Sequence, residues 1–323
     1  MRYLYEEAEE RENELMIACL DKIIKERFDK YKDRKNKVID LHCHTVHSDG
    51  ELTPIEILNL AIDNGISTLA ITDHDNIDGV KRVRKDYSDF LNQSGLEFIN
   101  GVELSVKVNH GRMHMLGYNI DIYNKELNDK LNEMKNNSMY SMISYFNDLR
   151  REKNISFSTE DILKVFNKSG NIGRPQIAKL LVKYGYVNSV QEGFDKYLID
   201  MYERVRKLNK GINYKEAIEL IKNAGGYAIL AHPYSLEMNE LELLKTIREL
   251  ISCGLDGIEV YHSNHTKEQM KLYLEIAKKY NLLYSVGSDF HGKNVKPDIE
   301  LGSGKNNNLN IKEVSLVRKI KNQ

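Results

Sequence analysis

The sequence predicts an α/β fold in which seven strand–helix units form either a barrel or an open parallel sheet. Three observations carry that expectation. Short apolar runs alternate with capped helical stretches from Val38 onward. A block of helical character, 119–225, separates the first four strands from the last three. Histidines and carboxylates recur at the strand ends, on the side where parallel α/β architectures collect reactive groups.

In chain order, residues 1–36 hold nine basic and ten acidic residues, with Met16, Leu20, Ile23, Ile24, Phe28 and Tyr31 at helical spacing. An amphipathic helix over about 4–34 is expected, docked on its own domain, with self-association as the alternative. The first strand-bearing part, 37–118, opens with VIDLHCH. Thr53-Pro54-Ile55-Glu56 then supplies an N-cap, a proline at the first helical position and a glutamate that returns to the cap. That helix ends at Gly65, and STLAITDHD, LEFINGVELS and RMHMLGYNI follow as strands two to four. The insertion 119–225 has 18 basic and 14 acidic residues, and it is too long for a loop, so a lid or second domain is expected. Within it Ser158-Thr159-Glu160-Asp161 caps a helix. The second strand-bearing part, 226–323 with its C-terminal tail, contains YAILAHP, DGIEVYH and LLYSVGSDFH. Helices capped by Asn213 and Thr266 precede two of these strands.

Composition excludes several classes. Lys+Arg 47 against Asp+Glu 48 leaves the 323-residue chain at −1, which argues against a protein that coats nucleic acid. No apolar run approaches the ~20 residues of a membrane span, and no secretory leader is evident. Cys19, Cys43 and Cys253 form no CxxC pair, so neither a disulfide framework nor a thiolate zinc site is expected, and the setting is read as cytoplasmic.

The chemistry lies in nine residues. His42 and His44 end the first strand at i,i+2 spacing, which turns both side chains to one face, and Asp49 follows in the next loop. His74 ends the second strand, Glu103 the third, His114 sits in the fourth and His232 ends the fifth. Asp289 and His291 end the seventh, again at i,i+2. A single histidine in such a place is usually satisfied by a backbone carbonyl; nine ligands from six strands are read as a metal centre. Imidazole and carboxylate without thiolate suit Zn2+, Mn2+ or Fe2+. If Glu103 bridges two ions, nine residues fill ten positions, enough for three divalent ions. Their +6 against the −3 of Asp49, Glu103 and Asp289 leaves a cationic pocket. Such a pocket favours an anionic substrate, and clustered metals favour in-line attack on phosphorus over amide hydrolysis.

DLHCHTVHSDG, AITDHDNIDG, GVELS, HMLGY, AHP, IEVYHSNH and GSDFHG, in that order over 37–306, resemble the motifs of the PHP (polymerase and histidinol phosphatase) metal-dependent phosphoesterase family. The resemblance implies a distorted (β/α)7 barrel with a trinuclear centre, in which a metal-bridging hydroxide attacks the phosphate. By motif, one ion takes His42, His44, Glu103 and Asp289; a second Glu103, His114 and His232; a third Asp49, His74 and His291. The insertion and GRPQIAKLL resemble the branch that removes the 3′-phosphate of nucleoside 3′,5′-bisphosphates or trims short RNA from the 5′ end. That branch usually has histidine where this chain has Gln176, and HCH replaces its commoner HTH; the middle residue is expected to point away from the metals.

The same resemblance makes Arg174 a phosphate clamp, a role for which a guanidinium is suited. His262, ending the sixth strand, is placed to bind phosphate or protonate the leaving oxygen, and His265 follows as a substrate contact. His47, His110, Lys179 and Lys183 read as solvated. Alternatives are a 5′–3′ exoribonuclease, a histidinol-phosphate-type phosphatase, and a non-catalytic metal-binding interaction module.

Overall fold

A computed structural model describes residues 22–34, 37–169, 174–198 and 211–322. Seven strands form one sheet in sequence order: β1 (Val38–Asp40), β2 (Ile66–Ile71), β3 (Glu97–Val106), β4 (Met113–Tyr118), β5 (Tyr227–Leu230), β6 (Gly257–His262) and β7 (Leu283–Gly287). The chain after β1 then pairs with the chain around β7. Leu41 N–H donates to Val286 O (3.0 Å), Asp289 N–H donates to His42 O (2.8 Å), and Cys43 bridges Phe290. The sheet is thereby nearly closed into a barrel.

The wholly parallel arrangement expected from the strand–helix rhythm does not hold. β4 runs antiparallel to both β3 and β5. The six residues between β3 and β4 are too few for a crossover helix, so the two strands form a hairpin. β3 consequently serves two partners: Thr68–Ile71 of β2 pair with Glu97–Asn100, and Gly101–Val106 pair with β4. Glu103 lies within the strand rather than at its end, and the first strand stops at Asp40, leaving His42 and His44 on an extended segment held by isolated bridges.

Two apolar layers flank the sheet. Val102 and Leu104 of β3, and Met113 and Met115 of β4, face the outer layer. That layer includes the helix Pro54–Asn64, which has the expected capping box at Thr53 and Glu56 and a left-handed Gly65. On the inner face Ile99, Leu116, Tyr118, Ile229 and Val286 plug the barrel. They are joined from below by Leu316 and Val317 of the C-terminal helix Ser315–Lys321. Strand alternation places His114 two residues above Leu116, and Glu103 four above Ile99, so the plug is the floor of the site.

The described part of the N-terminal helix, residues 22–32, docks on the barrel. The Phe28 ring meets Phe90 edge-on at 5.1 Å, and the Tyr31 hydroxyl donates to Ile66 O. Arg27 clamps Asn59 Oδ1 (2.6 Å) and Asp63 Oδ1 (2.8 Å). Ile23 and Ile24 are exposed; Met16 and Leu20 lie outside the described residues. In the insertion, the 29-residue helix Lys125–Lys153 joins two cores. Leu127, Leu131 and Met134 belong to the barrel's outer layer. Met142, Tyr145, Phe146 and Leu149 belong to a separate cluster with Ile177, Leu181 and Leu198. Among the described residues no helix is long and apolar enough to cross a membrane.

Because Phe28 is buried against the barrel, Phe28→Ala should lower stability by about 3 kcal/mol. A shift in the urea midpoint checks this; an unchanged midpoint would show that the docking contributes nothing.

Candidate metal centre

All nine expected residues converge at one mouth of the barrel, around the buried carboxylate of Glu103. His42 Nε2, His44 Nε2 and His74 Nδ1 lie 3.1, 3.2 and 3.1 Å from its Oε2. His114 Nδ1 and His232 Nε2 lie 2.7 and 2.9 Å from its Oε1. Asp289 Oδ1 stands 3.2 Å from His44 Nε2 and 3.4 Å from His291 Nδ1, while Asp49 Oδ1 stands 3.2 Å from His291 Nε2. The reversed direction of β4 explains His114. Its place is near the start of its strand, and an antiparallel strand starts at the mouth where its neighbours end.

Four sets within this cluster offer ligand atoms all within 4.8 Å of one another: His42–His44–Glu103–Asp289, His44–Asp49–His74–His291, His74–Glu103–His114 and His42–Glu259–His262. The first reproduces the set implied for one ion; the second adds His44 to another. The donor chemistry fits a divalent cation. His44 Nε2 and Asp49 Oδ1 are buried without a hydrogen-bond partner, a costly state unless a cation satisfies them.

Electrostatics point the same way. Burial pushes Glu103 upward, but the attraction of His74, His42 and His114 prevails and holds it well below the usual carboxylate range. Burial opposes a charged His44, yet the carboxylates of Asp289 and Glu103 beside it draw positive charge and lift it to about 9. In His74 burial wins, helped by the nearby His44 and His114, and the ring falls to about 3 despite Glu103 and Asp49. A neutral imidazole is the form that ligates a metal.

Several supporting residues escaped the sequence reading. Glu259, fully buried in β6, accepts from His42 Nδ1 (3.0 Å) and from His232 N–H (2.7 Å), orienting two of the nine. A register shift in β6 between Glu259 and Tyr261 brings Glu259 to the same side as His262. The signal in the sequence is a lone carboxylate inside an apolar strand. Asp73 accepts from Thr45 N–H, Thr45 Oγ1 and Ser48 Oγ, all at 2.7 Å, and so braces the loop between His44 and Asp49. Lys296 Nζ lies 2.6 Å from Asp289 Oδ2. His232 (φ 23°) and Asp289 (φ 58°) both adopt strained left-handed backbone. Gly287 has no room for a side chain, since a Cβ there would overlap that of His42.

Of the substrate candidates, His262 is buried with Nε2 3.5 Å from Asp289 Oδ2, and its Nδ1 accepts from Asn264 N–H (3.1 Å). His265 sits behind it, ring centres 5.0 Å apart, with Nδ1 donating to Val260 O (2.9 Å). Arg174 begins the helix Arg174–Lys183, but its side chain, like that of Gln176, lies outside the described residues. Cys43 points outward as expected, donating to Ala70 O. Lys183 pairs with Asp161 and His110 is exposed near Glu237, whereas His47 is half-buried.

The PHP domain family matches residues 40–300. The chain belongs to that family. It is 32% identical over 255 residues to a 5′-3′ exoribonuclease of Haemophilus influenzae, covering 79% of this chain and 90% of that protein. To a 3′,5′-nucleoside bisphosphate phosphatase of Chromobacterium violaceum it is 29% identical over 260 residues, covering 78% and 87%. Its fold is similar to a candidate metal-dependent phosphoesterase of Bifidobacterium adolescentis, with a TM-score of 0.71 and 27% identity over 88% of this chain and 95% of that one. The expectations of a PHP barrel and of a metal-dependent phosphoesterase are both met.

Glu259→Gln should weaken metal binding about tenfold by releasing His42 and His232 from their shared carboxylate. Metal titration of the variant, with its melting temperature as a check on folding, reads this out; wild-type affinity would refute the orienting role.

Proposed function

We propose that this phosphoesterase removes the 3′-phosphate of nucleoside 3′,5′-bisphosphates, using three divalent ions of Mn2+, Fe2+ or Zn2+. The observation that carries the reading is the shape of the ligand cluster. His42, His44, Glu103, His232, Asp289 and His291 are buried, and the site opens to solvent at Asp49, His74 and His114, whose side chains are 22, 23 and 20% exposed. A largely buried ligand cluster suits a terminal phosphoryl group better than the middle of a chain. The 29% identical Chromobacterium enzyme bears the corresponding name.

Held by the ligand sets implied by motif, divalent ions supply charge neutralisation at the phosphoryl oxygens and activation of water for in-line attack. The protein's own groups do the rest. Glu103 and Asp289 fix the spacing of the cluster, and Glu259 holds His42 and the His232 backbone in place. Because Nδ1 of His262 accepts a backbone N–H, a neutral ring carries its proton on Nε2, where it meets phosphate or the departing alcohol oxygen. Arg174 of the insertion takes the substrate's second phosphate, with His265 supporting His262 from behind. The protein works in the cytoplasm, and the exposed Ile23 and Ile24 leave self-association through the N-terminal helix as a further role.

The 32% identity to an exoribonuclease favours a second reading, stepwise release of mononucleotides from the 5′ end of short RNA. Metal-loaded protein should release inorganic phosphate and a 5′-nucleotide from adenosine 3′,5′-bisphosphate, and Asp289→Asn should reduce the rate at least a hundredfold. Absence of phosphate release with three ions bound, alongside mononucleotide release from a 5′-phosphorylated oligoribonucleotide, would replace the first reading with the second.

A further inference from the structure

Lys296 is not among the residues that the family motifs pick out, yet it is built into the edge of the site. Its ammonium lies 2.6 Å from Asp289 Oδ2 and 3.5 Å from Asp289 O. Among the described residues no other lysine or arginine is paired with Asp49, Glu103 or Asp289. The two oxygens of Asp289 face different ways. Oδ1 looks toward His42, His44 and His291 at 3.7, 3.2 and 3.4 Å. Oδ2 receives Lys296 from one direction and His262 Nε2, at 3.5 Å, from another.

The loop that presents Lys296 is anchored at several points. Lys296 N–H donates to Gly292 O (2.9 Å), and Glu51 N–H donates to His291 O (2.8 Å). The Glu51 carboxylate returns to Asn294, accepting its backbone N–H at 3.0 Å and its side-chain amide. Pro297 follows directly, and Ile299 beyond it is buried. A freely solvated lysine needs no such scaffold, and a fully enclosed one could not meet a ligand. Lys296 instead keeps 32% of its side chain exposed. An ammonium has three donors, and Asp289 engages one at close range, so donors remain for a ligand at the mouth.

We propose that Lys296 is a substrate-binding residue, gripping the phosphoryl group beside Asp289 in concert with His262. This rests on the phosphoesterase reading above but not on the nucleotide. In this role Lys296 is a point-charge phosphate donor on a flexible stem, and arginine can replace it in part.

The test compares metal-loaded wild type, Lys296→Gln and Lys296→Arg by calorimetric titration with inorganic phosphate and by hydrolysis of p-nitrophenyl phosphate. Lys296→Gln should weaken phosphate binding about tenfold and raise KM more than it lowers kcat, with metal content and melting temperature unchanged; Lys296→Arg should recover most of the loss. Unchanged phosphate binding in Lys296→Gln, or weakening that only tracks lost metal, would overturn the assignment and make Lys296 a counter-ion of Asp289. The two readings fail separately. Wild type that hydrolyses the ester while Lys296→Gln matches it defeats the lysine alone. Inert wild type defeats the phosphoesterase reading, and the phosphate titration then decides Lys296 by itself.

Discussion

The structure is organised around one carboxylate that water does not reach. Glu103 is buried at the end of a closed apolar plug, with five imidazoles drawn to within about hydrogen-bonding distance of its two oxygens. A carboxylate so placed is untenable without compensating positive charge. The compensation comes from β4 and from the segments that follow β1, β2 and β5, so satisfying Glu103 also fixes how the barrel closes. β1 reaches it through His42 and His44, β2 through His74, β4 through His114 and β5 through His232.

That constraint accounts for the direction of β4. Had β4 run parallel, the residue at the mouth would come from its C-terminal end, and Met113-His114 would lie at the floor among the apolar side chains. The hairpin reverses the strand, bringing His114 to Glu103 and leaving Leu116 and Tyr118 to fill the plug. The same inner face thus serves as ligand shell above and core below, a two-residue change along one strand. Tyr118 links the levels, its hydroxyl donating to Leu41 O at the base of the segment that carries His42.

Much of this was legible in the chain. Alternating apolar runs, the caps at Thr53, Asn213 and Thr266, and the two i,i+2 pairs encode local rules that tertiary context left standing. The nine candidate ligands were visible because histidines and carboxylates have no local reason to recur in and beside apolar strands. What escaped depends on geometry that spacing does not carry. The antiparallel β4 is set by a six-residue connection whose meaning shows only once no helix fits it. Glu259 reaches the site because β6 shifts register, which no periodicity announces. Lys296 lies seven residues past Asp289 in a polar stretch with no pattern at all, and only the fold of that loop returns it to the carboxylate.

The cluster also opposes the fold that holds it. One imidazole, His44, is held basic at about 9, while its neighbour His74, with ring centres 4.5 Å apart, is driven to about 3. The buried carboxylates favour a charged ring at His44, whereas burial and the neighbouring rings disfavour one at His74. Added to this are left-handed backbone at His232 and Asp289 and orphaned polar atoms at His44 and Asp49, each unfavourable by roughly 1–3 kcal/mol in general terms. A core layer on each side of the sheet and buried braces such as Asp73 offset these costs. Divalent ions relieve them directly, because the atoms left unsatisfied are the atoms a cation would bind. A bound ion would therefore stabilise the fold as well as the site, with Glu103 as the group common to both.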